Sequence, residues 1–132
     1  MRMFSASTQE TAYRELVALA APHAPPSPFL GPLAVSLGFF LQIAAGWPEW
    51  KKAAARADLV RPTGRRGDLD NLAKQVLDAL GRSGQWFRDD GQVVSCALSK
   101  RFADRPRIAV RIEGMPHVAS AAEWRARAEG GA

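Results

Sequence analysis

Residues Gly67 to Val94 read GDLDNLAKQVLDALGRSGQWFRDDGQVV. Within this stretch Leu69, Leu72, Val76, Leu77 and Leu80 recur at helical spacing and form one apolar stripe. The spacing predicts a helix over Leu69–Leu80, with Asp68 as its N-cap and Gly81 stopping the run. At about 100° per residue, Asp70, Lys74 and Asp78 fall in a row beside the stripe. Further on, Asp89-Asp90-Gly91 precedes an alternating run that predicts a strand from Val93.

Two chemistries are open to these acids. Carboxylates from a helix start (Asp68, Asp70) and from just before a strand (the Asp89-Asp90 pair), with the Lys74 ammonium nearby, are parts a magnesium-dependent phosphodiesterase uses. Alternatively, Asp68 caps, Asp70 favours the positive helix end, Asp70–Lys74 is an exposed i,i+4 pair, and Asp89-Asp90-Gly91 is a turn. The readings differ in geometry. Ligands must converge on one point, with magnesium–oxygen bonds of about 2.0–2.1 Å. A cap and a turn leave Asp90 facing away from Asp68 and Asp70.

Upstream of the stretch, Thr63-Gly64-Arg65-Arg66-Gly67 is a loop delivering the acidic helix. Arg65 and Arg66 stand where a phosphate backbone would pass, with plain solvation as the alternative. Trp47 to Arg56 predicts a short helix with Pro48 in its first turn. Its tryptophans and lysines fit either a buried Trp with a solvated basic face or base stacking. Leu33, Val35, Leu37, Phe39 and Leu41 alternate with smaller residues and predict a strand over Leu33–Leu41, with Phe40 on the opposite face. Pro22, Pro25, Pro26 and Pro28 enforce a loop before it. Ser7-Thr8-Gln9-Glu10 has the capping-box form and opens a helix over Thr8–Ala21.

Downstream, strands are expected over Val93–Phe102 and Arg107–Glu113, with Asp104-Arg105-Pro106 as a hairpin turn. Val94, Cys96 and Leu98 would share an apolar face, with Cys96 a small core residue. Ile108, Val110 and Ile112 face one way, Arg107 and Arg111 the other. With Lys100, Arg101 and Arg105 these make either a basic face or a solvated surface. Ala119 to Ala128 is a terminal helix, and the last residues should fray. The switch between period-2 and helical patterning gives an α/β (α+β) fold, a mixed sheet with two main helices packed on it.

The 132-residue length fits one domain, and 47% hydrophobic with 23% charged residues is an ordinary globular balance. A net charge of +5 favours a polyanionic partner such as nucleic acid. A lone cysteine forms no internal disulfide and is consistent with a reducing cytoplasm. The N-terminus has no signal-peptide core, and the longest apolar run, Pro32 to Gly46, is too short for a membrane span. A cytoplasmic protein without a membrane partner is expected.

The run D-L-D-N-L-x-K-x-x-x-D-A-L, then G-x-W and D-D-x-Q-V-V, resembles the RusA family of Holliday-junction resolvases. The matching residues run from Asp68 to Leu80 and on through Gly84, Trp86, Asp89, Asp90, Gln92, Val93 and Val94. The resemblance continues more weakly from about Ala12 to Ile112. It implies a single RusA-like endonuclease domain over residues 1–132, here without the strand and basic loop that precede the family's first helix. It also implies metal ligands at Asp68, Asp70 and Asp90 and an essential lysine at Lys74. The activity implied is a magnesium-dependent (manganese being possible) endodeoxyribonuclease that resolves Holliday junctions in recombination and repair, acting as a homodimer. Lys74, Arg65 and Arg66 would contact DNA. The rivals are a non-catalytic nucleic-acid-binding dimer, such as a shortened prophage remnant, and a nuclease for other branched DNA.

Overall fold

The structure, a computed structural model, describes residues 2–6, 18, 20–64 and 68–130. Strands β1 (Arg2–Ala6), β2 (Leu33–Gln42), β3 (Val93–Ala103) and β4 (Arg107–Gly114) form one sheet in the order β1-β4-β2-β3. β2 and β3 run parallel, while β4 is antiparallel to both β1 and β2. Helices α1 (Glu49–Arg56) and α2 (Leu69–Ser83) lie in the crossover between β2 and β3, and α3 (Ala121–Glu129) follows the sheet. The mixed sheet and helices of the α+β expectation are therefore present. The sequence reading assigns no strand to residues 2–6. They form β1, which supplies the pairing partner on the outer side of β4.

The alternation in β2 and β4 makes the core. Leu33, Val35, Leu37 and Phe39 are buried from β2, and Ile108, Val110 and Ile112 from β4. Val76, Leu80, Ala73 and Ala79 of α2 complete the cluster, with Leu69, Leu72 and Leu77 partly buried against it. The buried stripe is thus centred between the leucines and the alanines, because small Ala side chains let the helix sit close to the sheet. Arg107 and Arg111 fall on the opposite side of β4, as the alternation requires.

Three local expectations change. Gly81 does not end α2. It sits inside the last turn, where a Cβ would meet the Phe87 ring at 3.4 Å. The helix ends at Gly84, whose φ of 66° is the left-handed cap that glycine adopts without a Cβ penalty. Asp104-Arg105-Pro106 is not a hairpin turn, since β3 and β4 lie on opposite sides of β2. Phe40 pairs with Arg101 on one side and Arg107 on the other, so the short loop crosses the end of β2. Cys96 is in register with Val35 but is exposed, as is Val94. Among the described residues β3 is an edge strand with a neighbour on one side only, and its first half is largely exposed.

Ala18 and Ala20 are helical and a 3-10 turn follows at Ala21–His23. The rest of the expected Thr8–Ala21 helix, including the Ser7–Glu10 box, lies outside the described residues. Trp86 and Phe87 are fully buried beneath the end of α2, as expected. Trp47, two residues before α1, packs edge-on against Phe102, with centroids 4.9 Å apart, while Trp50 of α1 is exposed. No described helix is long and apolar enough to cross a membrane.

Candidate active site

The acidic stretch folds into two elements that touch. Asp68 with the helix α2 that it opens forms one. The other is a 3-10 turn, Asp90–Gln92, which packs against α2 and leads directly into β3. Asp68 occupies the N-cap position, and its backbone carbonyl accepts from Leu72 N at 3.0 Å. Its side chain makes no capping hydrogen bond. The carboxylate is therefore not spent on the role that local helix chemistry offers it. Asp70 is exposed one step into the helix, and Lys74 is exposed a turn later. Among the described residues these two form no ion pair, so the simple i,i+4 pairing is not made. Asp78 is half-buried on the same row.

The second element separates Asp89 from Asp90. Asp89 Oδ1 accepts from Gly91 N at 2.8 Å, which makes Asp89 the N-cap of the turn. Gln92 closes the box: its Oε1 accepts from Arg88 N at 2.9 Å and Asp89 N at 3.0 Å. Its Nε2 donates to Phe29 O at 2.8 Å and Gly31 O at 3.0 Å. One amide thus ties the turn to the chain entering β2, and holds the start of β3 beside the start of β2. Asp90 is the first residue of the turn, exposed, and its carboxylate makes no hydrogen bond or ion pair among the described residues. Turn chemistry accounts for Asp89 and leaves Asp90 over.

Asp68, Asp70, Lys74 and Asp90 are thus carried by neighbouring elements, all exposed and all without an internal partner among the described residues. The donor chemistry, carboxylate oxygens only, fits a hard divalent cation. The side-chain positions are those of separate carboxylates: among the described residues no three His, Cys, Asp or Glu side chains stand together closely enough to hold a metal ion. The tight convergence expected of a closed ligand set is not present. Arg65 and Arg66, expected beside the acids, lie outside the described residues.

Spacing alone could not single out Gln92. The Q-V-V match marked it, but only the fold shows that its amide joins segments about sixty positions apart in sequence, 63 for Phe29. Nor could spacing group Arg56 of α1 with Arg101, Arg105 and Arg107. These line one concavity at the far end of the sheet because the strand order brings them there.

The chain is 33% identical over 103 residues to the uncharacterized protein YqaN of Bacillus subtilis (strain 168), covering 76% of this chain and 70% of that protein. It is 47% identical over 45 residues to the crossover junction endodeoxyribonuclease RusA of Escherichia coli (strain K12). The same identity and length hold for the protein of that name from Shigella sonnei (strain Ss046). Those matches cover 34% of this chain and 37% of the relatives, so the chain spans about a third of their length. The sequence profile described as Endodeoxyribonuclease RusA matches residues 2–113, which takes in every strand of the sheet, α1, α2 and the acidic turn. With a match over most of its length, this chain belongs to the RusA endodeoxyribonuclease family.

Proposed function

We propose that this chain is a divalent-metal-dependent endodeoxyribonuclease that cuts branched DNA, with the Holliday junction as its substrate, and that it works as a homodimer. One observation carries the reading: Asp68 and Asp90 sit where local helix and turn chemistry would use them, yet neither carboxylate is used. Asp89 serves the turn instead. Unspent carboxylates on two touching elements are available for another task.

Asp68, Asp70 and Asp90 would hold magnesium, or manganese in its place. When bound, the ion lowers the pKa of a water and neutralises charge on the leaving oxygen. The other steps belong to the chain. Lys74, one turn along α2, stabilises negative charge growing on the non-bridging oxygens of the attacked phosphate. Asp78, half-buried one turn further along the same row, forms no ion pair with Lys74 among the described residues and would orient Lys74, or a water at the site, only once the cation and phosphate are bound. Arg65 and Arg66 hold the phosphate backbone at the entrance to the acidic helix. Without a cation, the three carboxylates would repel that backbone, so metal binding and DNA placement are coupled.

A four-way junction has approximate two-fold symmetry, and two matched nicks need two equivalent sites. A C2 homodimer supplies them. The Phe40 side of the sheet is a poor apolar interface, because the Arg107 guanidinium covers the ring at 3.7 Å from its centroid. The β3 edge, with exposed Val94 and Cys96, is a better one.

The test is junction cleavage with magnesium or manganese by wild type and Asp70→Asn. The substitution removes ligand charge at nearly constant shape. Cleavage should vanish, while the fold and junction binding persist. Wild-type cutting by Asp70→Asn would refute the site. The separation of the carboxylates in this structure favours a second reading, a non-catalytic nucleic-acid-binding dimer. That reading gains if the wild-type protein binds junctions but cuts none with either ion. A panel of flaps and forks distinguishes junction resolution from cutting of other branched DNA.

A further inference from the structure

The end of the sheet remote from the acidic turn carries a second charged feature. A concavity of about 410 Å³ is lined by Phe40, Arg101, Asp104, Arg105 and Arg107, and by Arg56 from α1. Four guanidinium groups face one carboxylate there. Arg101 and Arg107 flank Phe40 in the sheet register, so three neighbouring strands present them as one row.

Three of the four arginines, Arg56, Arg101 and Arg107, are held in place rather than free. Arg56 Nε donates to both Asp104 carboxylate oxygens, at 3.1 and 3.0 Å. Arg101 Nη2 donates to Arg56 O at 3.0 Å. Arg107 stacks on Phe40 and donates from Nη1 to Arg105 O at 3.3 Å. A guanidinium has five donors, and these contacts occupy only part of each set. Fixed, partly free guanidiniums suit the oxygens of a phosphodiester better than a single small anion, because they are spread along a row.

From Val93, beside the acidic turn, to Arg101 is eight residues along β3, or about 26 Å at 3.3 Å per residue. We propose that this concavity holds the phosphate backbone of a DNA arm, about a strand's length from the acidic turn. The inference rests on the reading of this chain as a branched-DNA protein, and adds a second contact that the cutting site does not require. Charge complementarity identifies the occupant: three positive charges remain after Asp104 is matched, and the walls offer no cluster of acceptors for a cationic partner.

The test is anisotropy of a labelled junction across salt concentrations, in EDTA so that no cutting occurs. The proteins are wild type, Arg101→Gln, Arg105→Gln and, as a control of equal charge change, Arg125→Gln on α3. Arg105 is exposed on the loop, so its substitution leaves the core intact. Each concavity variant should lower the slope of log K against log salt by about 0.9, with binding about eightfold weaker at 0.1 M salt. Arg125→Gln should match wild type. Concavity variants that bind like the control would overturn the proposal, as would a wild-type protein that binds no DNA. A charge-matched polyglutamate peptide that displaces DNA as well as unlabelled DNA does would reassign the concavity to an acidic protein. Failure of cleavage alone refutes the nuclease reading and leaves this comparison decisive.

Discussion

Asp89 and Asp90 are adjacent and chemically identical, and the fold gives them different work. Asp89 caps the 3-10 turn through Gly91 N, while the Asp90 carboxylate makes no hydrogen bond or ion pair among the described residues. Asp89→Ala should therefore cost about 1 kcal/mol of stability, as lost caps do. Asp90→Ala should leave the thermal midpoint nearly unchanged and, on the proposed function, abolish metal-dependent cutting. Denaturation curves beside cleavage assays check both; a larger stability loss for Asp90→Ala would reverse the assignment. Cys96 behaves unlike the core residue its alternation suggests. It is exposed, yet partial burial of the thiol raises its pKa above the ordinary value. A raised pKa means less thiolate at a given pH. Alkylation of the folded protein at pH 8 should thus be slower than in denaturant, and the midpoint of its pH–rate curve should lie at higher pH.

At the scale of elements, the acidic turn is only as well placed as Gln92 makes it. Four hydrogen bonds from one side-chain amide join Arg88 and Asp89 to Phe29 and Gly31. Each such bond contributes a net ~0.5–1.5 kcal/mol, and the part-buried Phe29 carbonyl left without this donor adds to the loss. Gln92→Ala should destabilise the protein by about 2–4 kcal/mol. Gln92→Glu keeps the acceptor half and loses the donor half, so it should fall between wild type and Ala. Equal stability of all three proteins would show that the clamp contributes nothing. α2 shows the same dependence on neighbours. Its glycine at 81 admits Phe87, and its glycine at 84 turns the chain, so two glycines three residues apart serve packing and backbone respectively.

The whole molecule presents chemistry at two ends of one sheet. The acidic turn stands at the start of β3 and the arginine concavity at its finish. The β3 edge between them is unpaired among the described residues and carries exposed Val94, Ser95, Cys96 and Ala97. An uncovered edge strand with apolar side chains is a pairing surface for another chain. If the homodimer forms there, light scattering at micromolar concentration should give twice the 14.3 kDa mass, and Val94→Lys should return it to monomer. Wild type that scatters as a monomer at that concentration would count against the dimer.

By itself the sequence determined three of the four strands, the two helices in the crossover, the buried faces of β2 and β4, and which acids to weigh as ligands, while β1 escaped it. Those features follow from local periodicity, which is written residue by residue. Within the acidic stretch, the spacing could place Asp68 at a helix start and Asp90 in a turn. It could not decide which carboxylates the caps consume. That depends on side-chain hydrogen bonds, and the answer differs between Asp89, which bonds Gly91 N, and Asp68, which bonds nothing at the helix start. Tertiary structure also decided that β3 and β4 flank β2 instead of pairing, that Cys96 lies on an edge, and that Arg56 joins Arg101 and Arg107. The physical reason is common to all three. Strand order and edge position arise from pairings between segments far apart in the chain, and no local period encodes which neighbour a strand will take.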